Sequence, residues 1–211
     1  ERLDTLIPDS STKPYDMKEL IAAIADEGDF FELAPEWAGN IVVVFGRMDG
    51  KTVGFGGSAT LDALGVYDKL AAHNTVIWHW KQEANAARKA AMQTQVYLSS
   101  ANGLAESGEI VNIDGTGNRV SATLFGHEKV YFVIGRNKLA PTYEEALWRA
   151  RNIAAPKNAQ RLGRKTPCAV HGDRCYDCKS PERICRGLVV LWEAVANMEM
   201  EVVLIDQDLG Y

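Results

Sequence analysis

The amino-acid sequence lacks the features of a membrane-spanning, fibrous or intrinsically disordered chain. No apolar run among its 211 residues approaches the roughly 18 residues needed to cross a bilayer. A mean hydropathy of -0.18, with 46% hydrophobic residues, is typical of a folded globular protein and excludes collagen, a coiled coil and disorder. Residues 1–10 lack the basic start and the apolar stretch of a secretory signal, so we expect a cytoplasmic protein.

Familiar catalytic signatures are absent as well. The sequence contains no nucleophile elbow, no Walker phosphate-binding loop and no zinc-protease motif, and it shows neither an internal repeat nor a low-complexity tract. The histidines favour packing or surface roles, since His73 and His79 lie among apolar residues and His127 follows a glycine. Catalytic or ligand-binding residues are therefore expected in loops and in clusters of residues.

Charge and cysteine are unevenly distributed along the chain. Residues 1–57 carry 11 acidic and 5 basic side chains, whereas residues 58–211 carry 17 acidic and 18 basic ones. All four cysteines lie between Cys168 and Cys185. The two parts of the chain therefore differ in composition, and the cysteines form a single group.

The N-terminal part predicts a helix followed by a β-hairpin. Residues 16–25 combine an N-cap, Asp16, with Glu19 three residues later and apolar residues at helical spacing. The apolar run over residues 41–45 is separated from residues 52–55 by an Asp-Gly turn signal, which favours a hairpin. This pattern of a helix and a hairpin does not by itself indicate a catalytic or binding function.

From residue 52 onward, apolar strands end repeatedly in polar turns. Strands are predicted over residues 52–55, 95–98, 109–113 and 129–134, with a closing strand pair over residues 188–192 and 201–205. Helices are predicted over residues 60–70 and 142–153. The polar loops are Gly56-Gly57-Ser58, Ser100-Ala101-Asn102, Asp114 to Arg119, and Asn137-Lys138. Loops at strand ends are where open α/β sheets bind ligands, so we predict an α/β fold with an open, mostly parallel sheet and flanking helices.

The most informative loop spans Asp114 to Arg119. Its two glycines let the backbone approach a ligand, the residues after it can begin a helix that attracts an anion, and Arg119 can hold a carboxylate or phosphate. A turn that merely precedes a capped helix is the alternative, but the three companion loops favour a ligand site. In a catalytic version of this site, Glu106 or Asp114 acts as general acid or base. The predicted ligand-binding residues are Gly56, Gly57, Ser58, Asn102, Gly115, Gly117, Asn118, Arg119 and Lys138.

The cysteines have the spacing of metal ligands. Cys168, Cys175, Cys178 and Cys185 follow the pattern Cys-x6-Cys-x2-Cys-x6-Cys among several arginines and lysines. Four thiolates suffice for tetrahedral zinc or for one iron–sulfur cluster, and nearby cations stabilise deprotonated ligands. His171 can replace one cysteine, and structural disulfides are the alternative in an oxidising compartment. The thiolates alone do not decide between the two metals.

On these motifs, residues 53–211 resemble the LUD family, the lactate-utilisation domain. The matching stretches are Gly56 to Leu61, Ser100 to Asn102, Gly108 to Val120, Gly135 to Lys138, and Asn152 to Cys185. The resemblance implies a fold like that of the ribose-phosphate isomerase and CoA-transferase superfamily, whose members bind phosphorylated or CoA-linked substrates at strand ends. It also implies a part in oxidising lactate to pyruvate alongside iron–sulfur partners.

Residues 1 to about 54 are similar to a different family, the carboxyltransferase subunit of biotin-dependent acyl-CoA carboxylases. The similarity lies in Arg2 to Pro8, Lys13 to Met17, Gly28 to Glu32, and Asn40 to Met48. It ends near Gly54, and the stretch that leads to the acyl-CoA or biotin site of that family is absent from the sequence. We therefore predict a chimera of two parts: a carboxyltransferase-like helix and hairpin over residues 1–54, and a LUD-like α/β domain over residues 55–211 that includes the cysteine motif 168–185.

The expected function is a LUD-like role in lactate utilisation, with binding of a small anionic or nucleotide- or CoA-bearing ligand. Two alternatives stay open: a non-catalytic electron-transfer or assembly subunit carrying a metal or iron–sulfur centre, and a chimeric chain without evolved activity. The expected cofactor is an iron–sulfur cluster, with zinc as the alternative. Expected partners are the anionic ligand and iron–sulfur proteins, with a homo-oligomer left open; neither nucleic acid nor membrane is expected.

Overall fold

The computed structural model describes residues 51–211 and, before them, residues 18, 21, 22, 30–32 and 44–46. Residues 18, 21 and 22 are helical, as the helix predicted over residues 16–25 requires; its other residues lie outside the described part. Strands β1 (Phe30–Glu32) and β2 (Val44–Gly46) form an antiparallel pair. Most of the segment predicted to be carboxyltransferase-like therefore lies outside the described residues, and the predicted division at residue 54 stays a prediction.

Nine further strands and seven α-helices follow within residues 51–211. The strands are β3 (Val53–Phe55), β4 (Val76–Trp78), β5 (Val96–Ser99), β6 (Gly103–Ala105), β7 (Ile110–Asp114), β8 (Lys129–Gly135), β9 (Leu139–Ala140), β10 (Gly187–Leu191) and β11 (Glu199–Ile205). The helices are α1 (Ala59–Ala63), α2 (Val66–Ala71), α3 (Ala84–Ala91), α4 (Asn118–Ala122), α5 (Tyr143–Arg149), α6 (Ala155–Arg161) and α7 (Pro167–His171).

A five-stranded sheet in the order β11-β8-β5-β3-β4 is the centre of the fold, and all of its neighbouring strands are parallel. Its two faces are covered by apolar side chains in separate clusters. One cluster contains Phe55, Leu61 and Trp78, and the other contains Tyr97 and Phe132. Burial on both faces explains why these strands are continuous apolar runs, because a parallel sheet has helices on each side. The predicted α/β class, with an open and mostly parallel sheet, is therefore confirmed.

A second sheet of four strands lies in the order β10-β7-β6-β9. Strand β7 pairs antiparallel with both β6 and β10, and β6 pairs parallel with β9. Ala146 and Ala150 pack with Val111 in a small buried cluster beneath it. Gly103 makes this packing close, because a Cβ there would lie 2.5 Å from the backbone oxygen of Ala146. The second sheet thereby places the end of β7 beside the ends of the parallel strands.

Two strand pairings predicted from sequence are wrong. The hairpin between residues 41–45 and 52–55 does not form, because β2 pairs with β1 while β3 has β4 and β5 on its two edges. The closing pair over residues 188–192 and 201–205 does not form either, since β10 joins β7 and β11 joins β8. In each case the strand is present but pairs with a different strand from the one predicted.

The predicted helices form with adjustments. The helix over residues 60–70 is divided into α1 and α2 at Gly65, whose φ of 64° is left-handed. The helix over residues 142–153 begins as predicted, with the Thr142 side chain accepting the backbone N–H of Glu145. It continues beyond α5 through a π-helical turn, Ala150–Ala154, into α6.

In the described part of the chain, no helix has both the length and the apolar character needed to cross a bilayer.

Candidate ligand-binding crevice

The polar loops at the strand ends surround a crevice of about 550 Å³. Most of the residues predicted from sequence to bind a ligand contribute to its wall. These are Gly57, Ser58, Asn102, Gly115, Asn118, Arg119 and Lys138, together with the predicted acid or base Asp114. The structure thus brings them together, while their roles in binding and catalysis stay predictions.

Three predicted site residues lie outside this wall. Gly56 is just behind it, where a Cβ would lie 2.9 Å from Ser99 Oγ and 3.2 Å from Arg119 Cγ. Gly117 precedes α4 with a φ of 90°, so it shapes the loop rather than the lining. Glu106 is exposed in the turn after β6. Its prediction as an acid or base therefore gains no support from the geometry.

Asp114 and Arg119 hold each other inside their loop. One oxygen of Asp114 accepts the backbone N–H groups of Thr116 and Gly117, both at 2.9 Å. The other oxygen accepts Nε of Arg119 at 3.3 Å, and both side chains are largely buried. Because both carboxylate oxygens are already engaged, the geometry favours a structural role for Asp114 over proton transfer.

Asn102 joins this loop to the end of β7. Its side-chain oxygen accepts the backbone N–H of Ile113 at 2.8 Å and Nη2 of Arg119 at 3.2 Å. Arg119 also donates to the carbonyl of Ile113 at 2.6 Å. Arg119 is therefore fixed by three acceptors besides any ligand, so its orientation is set before a ligand arrives.

Lys138 lies in a 3₁₀ turn, Arg136–Lys138, that follows β8. Only 5% of the residue is exposed, and its Nζ donates to Thr60 Oγ1 at 2.8 Å and Ser100 Oγ at 3.0 Å. Burial, together with the positive charges of Arg149 and Arg119, lowers the pKa of Lys138 to about 7. A lysine in this state gives up its proton close to neutral pH.

Arg149, at the end of α5, is a buried cation that sequence reasoning missed. Its Nε donates to the carbonyl of Asn137 at 2.8 Å, and its Nη1 donates to the carbonyl of Asn102 at 2.6 Å. Burial lowers the pKa of its guanidinium. Arg149 therefore ties together the loops that follow β5 and β8, and it has no loop motif that could have revealed it.

The crevice is strongly basic. Seven lysine or arginine residues line it, against the two carboxylates Asp114 and Glu182. The basic residues are Arg88, Arg119, Lys138, Arg161, Arg164, Arg183 and Arg186. The sequence predicted Arg119 and Lys138 as ligand-binding residues, whereas the cations near the cysteines were interpreted as stabilising thiolates. The structure places Arg164, Arg183 and Arg186 in the crevice wall, and Arg183 also donates to the sulfur of Cys185.

His79 and Trp80 form an aromatic part of the wall beside Gly57. A Cβ at Gly57 would lie 3.2 Å from His79 Nε2 and 3.3 Å from Trp80 Nε1, so glycine keeps this surface open. The guanidinium of Arg161 lies 5.1 Å from the centre of the Trp80 ring. Burial and then Arg88 lower the pKa of His79, while Asp114 opposes this shift. His79, interpreted from sequence as a packing or surface residue, therefore lies at the crevice.

Arg88 and His79 also have unused hydrogen-bonding atoms. Within the described part of the chain, neither Nε of Arg88 nor Nδ1 of His79 has a hydrogen-bond partner, although both atoms are buried. Buried polar atoms are normally paired, and both of these unpaired atoms belong to residues that line the crevice.

The four cysteines are free and partly exposed. Their sulfur atoms have separate neighbours: Cys168 contacts Thr166 Oγ1 at 3.3 Å, and Cys185 accepts Arg183 Nε at 3.2 Å. Across residues 51–211 and the described residues before them, no three His, Cys, Asp or Glu side chains gather around a shared position. This arrangement does not fit a zinc ion or an iron–sulfur cluster, and the metal centre stays a prediction from the sequence.

Comparison with known proteins finds similarity to both families that the sequence was expected to resemble. A family model described as the LUD domain matches residues 11–205. The N-terminal segment matches the propionyl-CoA carboxylase beta chain of Roseobacter denitrificans, with 52% identity over 66 residues, or 31% of this chain and 13% of that protein. The methylmalonyl-CoA decarboxylase subunit alpha of Veillonella parvula is 50% identical over 54 residues, or 26% of this chain and 11% of that one. The chain thus spans about an eighth of the length of these curated relatives, which is consistent with a chimera.

One solved structure is also similar, a DUF162 family protein from Deinococcus radiodurans. The two sequences are 11% identical, and the TM-score is 0.35. The aligned region covers 74% of this chain and 88% of the Deinococcus chain.

Proposed function

Because the chain belongs to the LUD-domain family, we propose that it binds a nucleotide- or CoA-bearing anion in the basic crevice as part of a lactate-utilisation system. In this proposal the system oxidises lactate to pyruvate, and iron–sulfur protein partners accept the electrons. The family supports the general role, and the charge of the crevice supports the class of ligand.

The excess of positive charge is the observation that carries the proposal. Lactate has one negative charge, whereas seven cations and only two carboxylates line the crevice. A site built for lactate alone would leave most of these cations without a counter-charge, at a cost in mutual repulsion. Phosphate groups of a nucleotide or of CoA supply several negative charges, and arginine pairs with phosphate through two parallel hydrogen bonds.

The size and shape of the crevice agree with this class of ligand. A volume of about 550 Å³ lies within the range of roughly 300–1,000 Å³ typical of sites for cofactors and other small molecules. Trp80 presents a flat ring at the wall, and Arg161 lies over that ring at 5.1 Å. The Trp80 ring also stacks on Trp78, with 5.2 Å between ring centres, so a planar base can stack on the guanidinium of Arg161 while its phosphates contact the other arginines.

The loop residues contribute by orientation. Arg119 is held in place by Asp114, Asn102 and the Ile113 carbonyl before any ligand binds, so little conformational entropy is lost when it contacts an anion. Lys138 is a better candidate than Asp114 for moving a proton, because its pKa of about 7 allows both protonation states near neutral pH.

Ligand binding to paired charge variants tests the proposal. Arg88→Gln removes a crevice cation that has an unused donor, and Lys89→Gln removes the same charge from an exposed neighbour on helix α3. We expect CoA and ADP to raise the melting temperature of the parent chain more than lactate does. A charge-assisted hydrogen bond contributes about 1.5–3 kcal/mol, so Arg88→Gln should weaken binding by roughly 10- to 100-fold.

Lys89→Gln should bind the same ligands almost as well as the parent. The proposal is wrong if neither CoA nor ADP stabilises the parent chain at low ionic strength, where phosphate contacts are strongest. Equal losses in the two variants would show that net charge, rather than the crevice, governs binding.

A further inference from the structure

The surroundings of Lys138 match a neutral amine better than an ammonium ion. A neutral amine has two N–H groups and one lone pair, whereas an ammonium ion has three N–H groups. Two hydroxyl oxygens, Thr60 Oγ1 and Ser100 Oγ, accept from Nζ at 2.8 and 3.0 Å. Within residues 51–211 no third acceptor for Nζ is recorded, so the neutral form has both N–H groups satisfied and its lone pair unused.

The charged groups around Lys138 reinforce this state. Arg149 from α5 and Arg119 from α4 are the cations that act on it, and in the described part of the chain no carboxylate forms an ion pair with it. Lys138 also lines the crevice, so a bound molecule can reach its amine. A buried, uncharged amine beside cations that attract a carboxylate is the arrangement that lysines need for reaction with a carbonyl group.

We propose that Lys138 forms an imine with the carbonyl carbon of a 2-oxo acid bound in the crevice. This inference rests on the proposed function, because pyruvate, the product of lactate oxidation, is a 2-oxo acid. The carboxylate of that acid binds beside Arg119, and its carbonyl carbon lies against Nζ.

The reaction balances without an oxidant or reductant. The Nζ lone pair attacks C2 of the acid, a C–N bond forms, and the carbonyl oxygen takes up a proton from nitrogen to give a carbinolamine. The C–O bond then breaks while nitrogen gives up its second proton, so one water leaves and a C=N bond remains. The hydroxyls of Ser100 and Thr60, which already contact Nζ, can relay these protons.

Reductive trapping tests the proposal on the full chain. The protein is incubated at neutral pH with pyruvate and cyanoborohydride, which reduces an imine to a stable secondary amine. We expect one adduct per chain, and peptide mapping should place it on Lys138. An ordinary lysine is almost fully protonated at neutral pH, so on the fraction of neutral amine alone Lys138 should react faster than exposed lysines by a factor on the order of a thousand.

Three controls accompany the measurement. Lactate replaces pyruvate in a parallel sample and should give no adduct, because it has no carbonyl carbon that can form an imine. Lys138→Arg should lose the adduct, and Lys157→Arg, a change at an exposed position on α6, should keep it. If Lys138→Arg fails to fold, the peptide map of the parent chain decides the question by itself.

The outcomes separate this inference from the proposed function. Stabilisation of the parent by CoA or ADP without an adduct on Lys138 overturns the imine and leaves the anion site in place. An adduct on Lys138 without such stabilisation supports the imine and removes the nucleotide or CoA ligand. Labelling spread evenly over the exposed lysines overturns the imine as well.

Discussion

Replacing Arg149 by methionine should loosen the crevice and destabilise the whole domain. Arg149 is 8% exposed and donates two hydrogen bonds, at 2.8 and 2.6 Å, to the carbonyls of Asn137 and Asn102. Methionine has a similar length but no donor, so both carbonyls lose their partner. The change therefore removes the two hydrogen bonds while most of the packing of the side chain is kept.

The expected loss follows from these two contacts. A hydrogen bond from a charged donor contributes about 1.5–3 kcal/mol, so two of them set an upper bound of about 6 kcal/mol. Removing the buried guanidinium also removes its desolvation cost, which offsets part of this loss. We expect the free energy of unfolding to fall by about 2–4 kcal/mol.

Urea unfolding, followed by tryptophan fluorescence and circular dichroism, measures this change. Arg151→Met is the matched control, because Arg151 lies two residues away with 46% of its side chain exposed and pairs with Asp177 at 3.4 Å. An exposed ion pair contributes at most about 1 kcal/mol, so this variant should unfold almost as the parent does. A loss below about 1 kcal/mol for Arg149→Met, or equal losses in both variants, would refute the reasoning.

Three further predictions concern the pH dependence, a close backbone contact and the cysteines. The pKa of Lys138, about 7, lies below its ordinary value, so above that pH the unfolded chain binds more protons than the folded one. The free energy of unfolding should therefore rise as the pH increases from about 7, and Lys138→Met should lack this component; identical pH profiles would contradict the buried-amine assignment. Gly103→Ala places a Cβ 2.5 Å from the Ala146 oxygen and should cost about 1–3 kcal/mol in urea unfolding, whereas Gly187→Ala, whose Cβ lies 3.9 Å from its neighbour, should change little. All four cysteines are free and partly exposed, so a thiol reagent should titrate four per folded chain, and a lower count accompanied by bound iron or zinc in elemental analysis would contradict the arrangement of the sulfur atoms.

Local sequence signals predicted much of the sheet. The strands over residues 95–98, 109–113 and 129–134 are recognisable because each is an apolar run that ends in a polar turn, and β5, β7 and β8 occupy these positions. The loop from Asp114 to Arg119 is recognisable for a similar reason. The hydrogen bonds of the Asp114 side chain join residues only two to five positions apart, so one short stretch of sequence contains both partners of each bond.

Pairings between distant segments were not predictable in this way. The Asp-Gly signal before residue 52 favours a hairpin, but β3 gains more by pairing with β4 and β5, where it is buried on both faces. The ligand site with Arg119 and Lys138 was predicted, but the other cations of the crevice were not assigned to it, for the same reason. These additional cations include Arg88 on α3, Arg161 on α6 and Arg186 near β10, and only tertiary packing brings them together.

The pairing of β11 with β8 affects how the protein is made. β11 extends the sheet by seven parallel residue pairs. After it, Tyr211 lines the crevice, and the Leu209 carbonyl accepts a hydrogen bond from Thr60 Oγ1 across 149 positions of sequence. Between the end of β8 at Gly135 and the start of β11 at Glu199, a ribosome adding about 5–20 residues per second needs roughly 3–13 seconds. During that interval one edge of β8 is unpaired and the crevice lacks one wall, and an unpaired sheet edge can pair with other chains until β11 emerges.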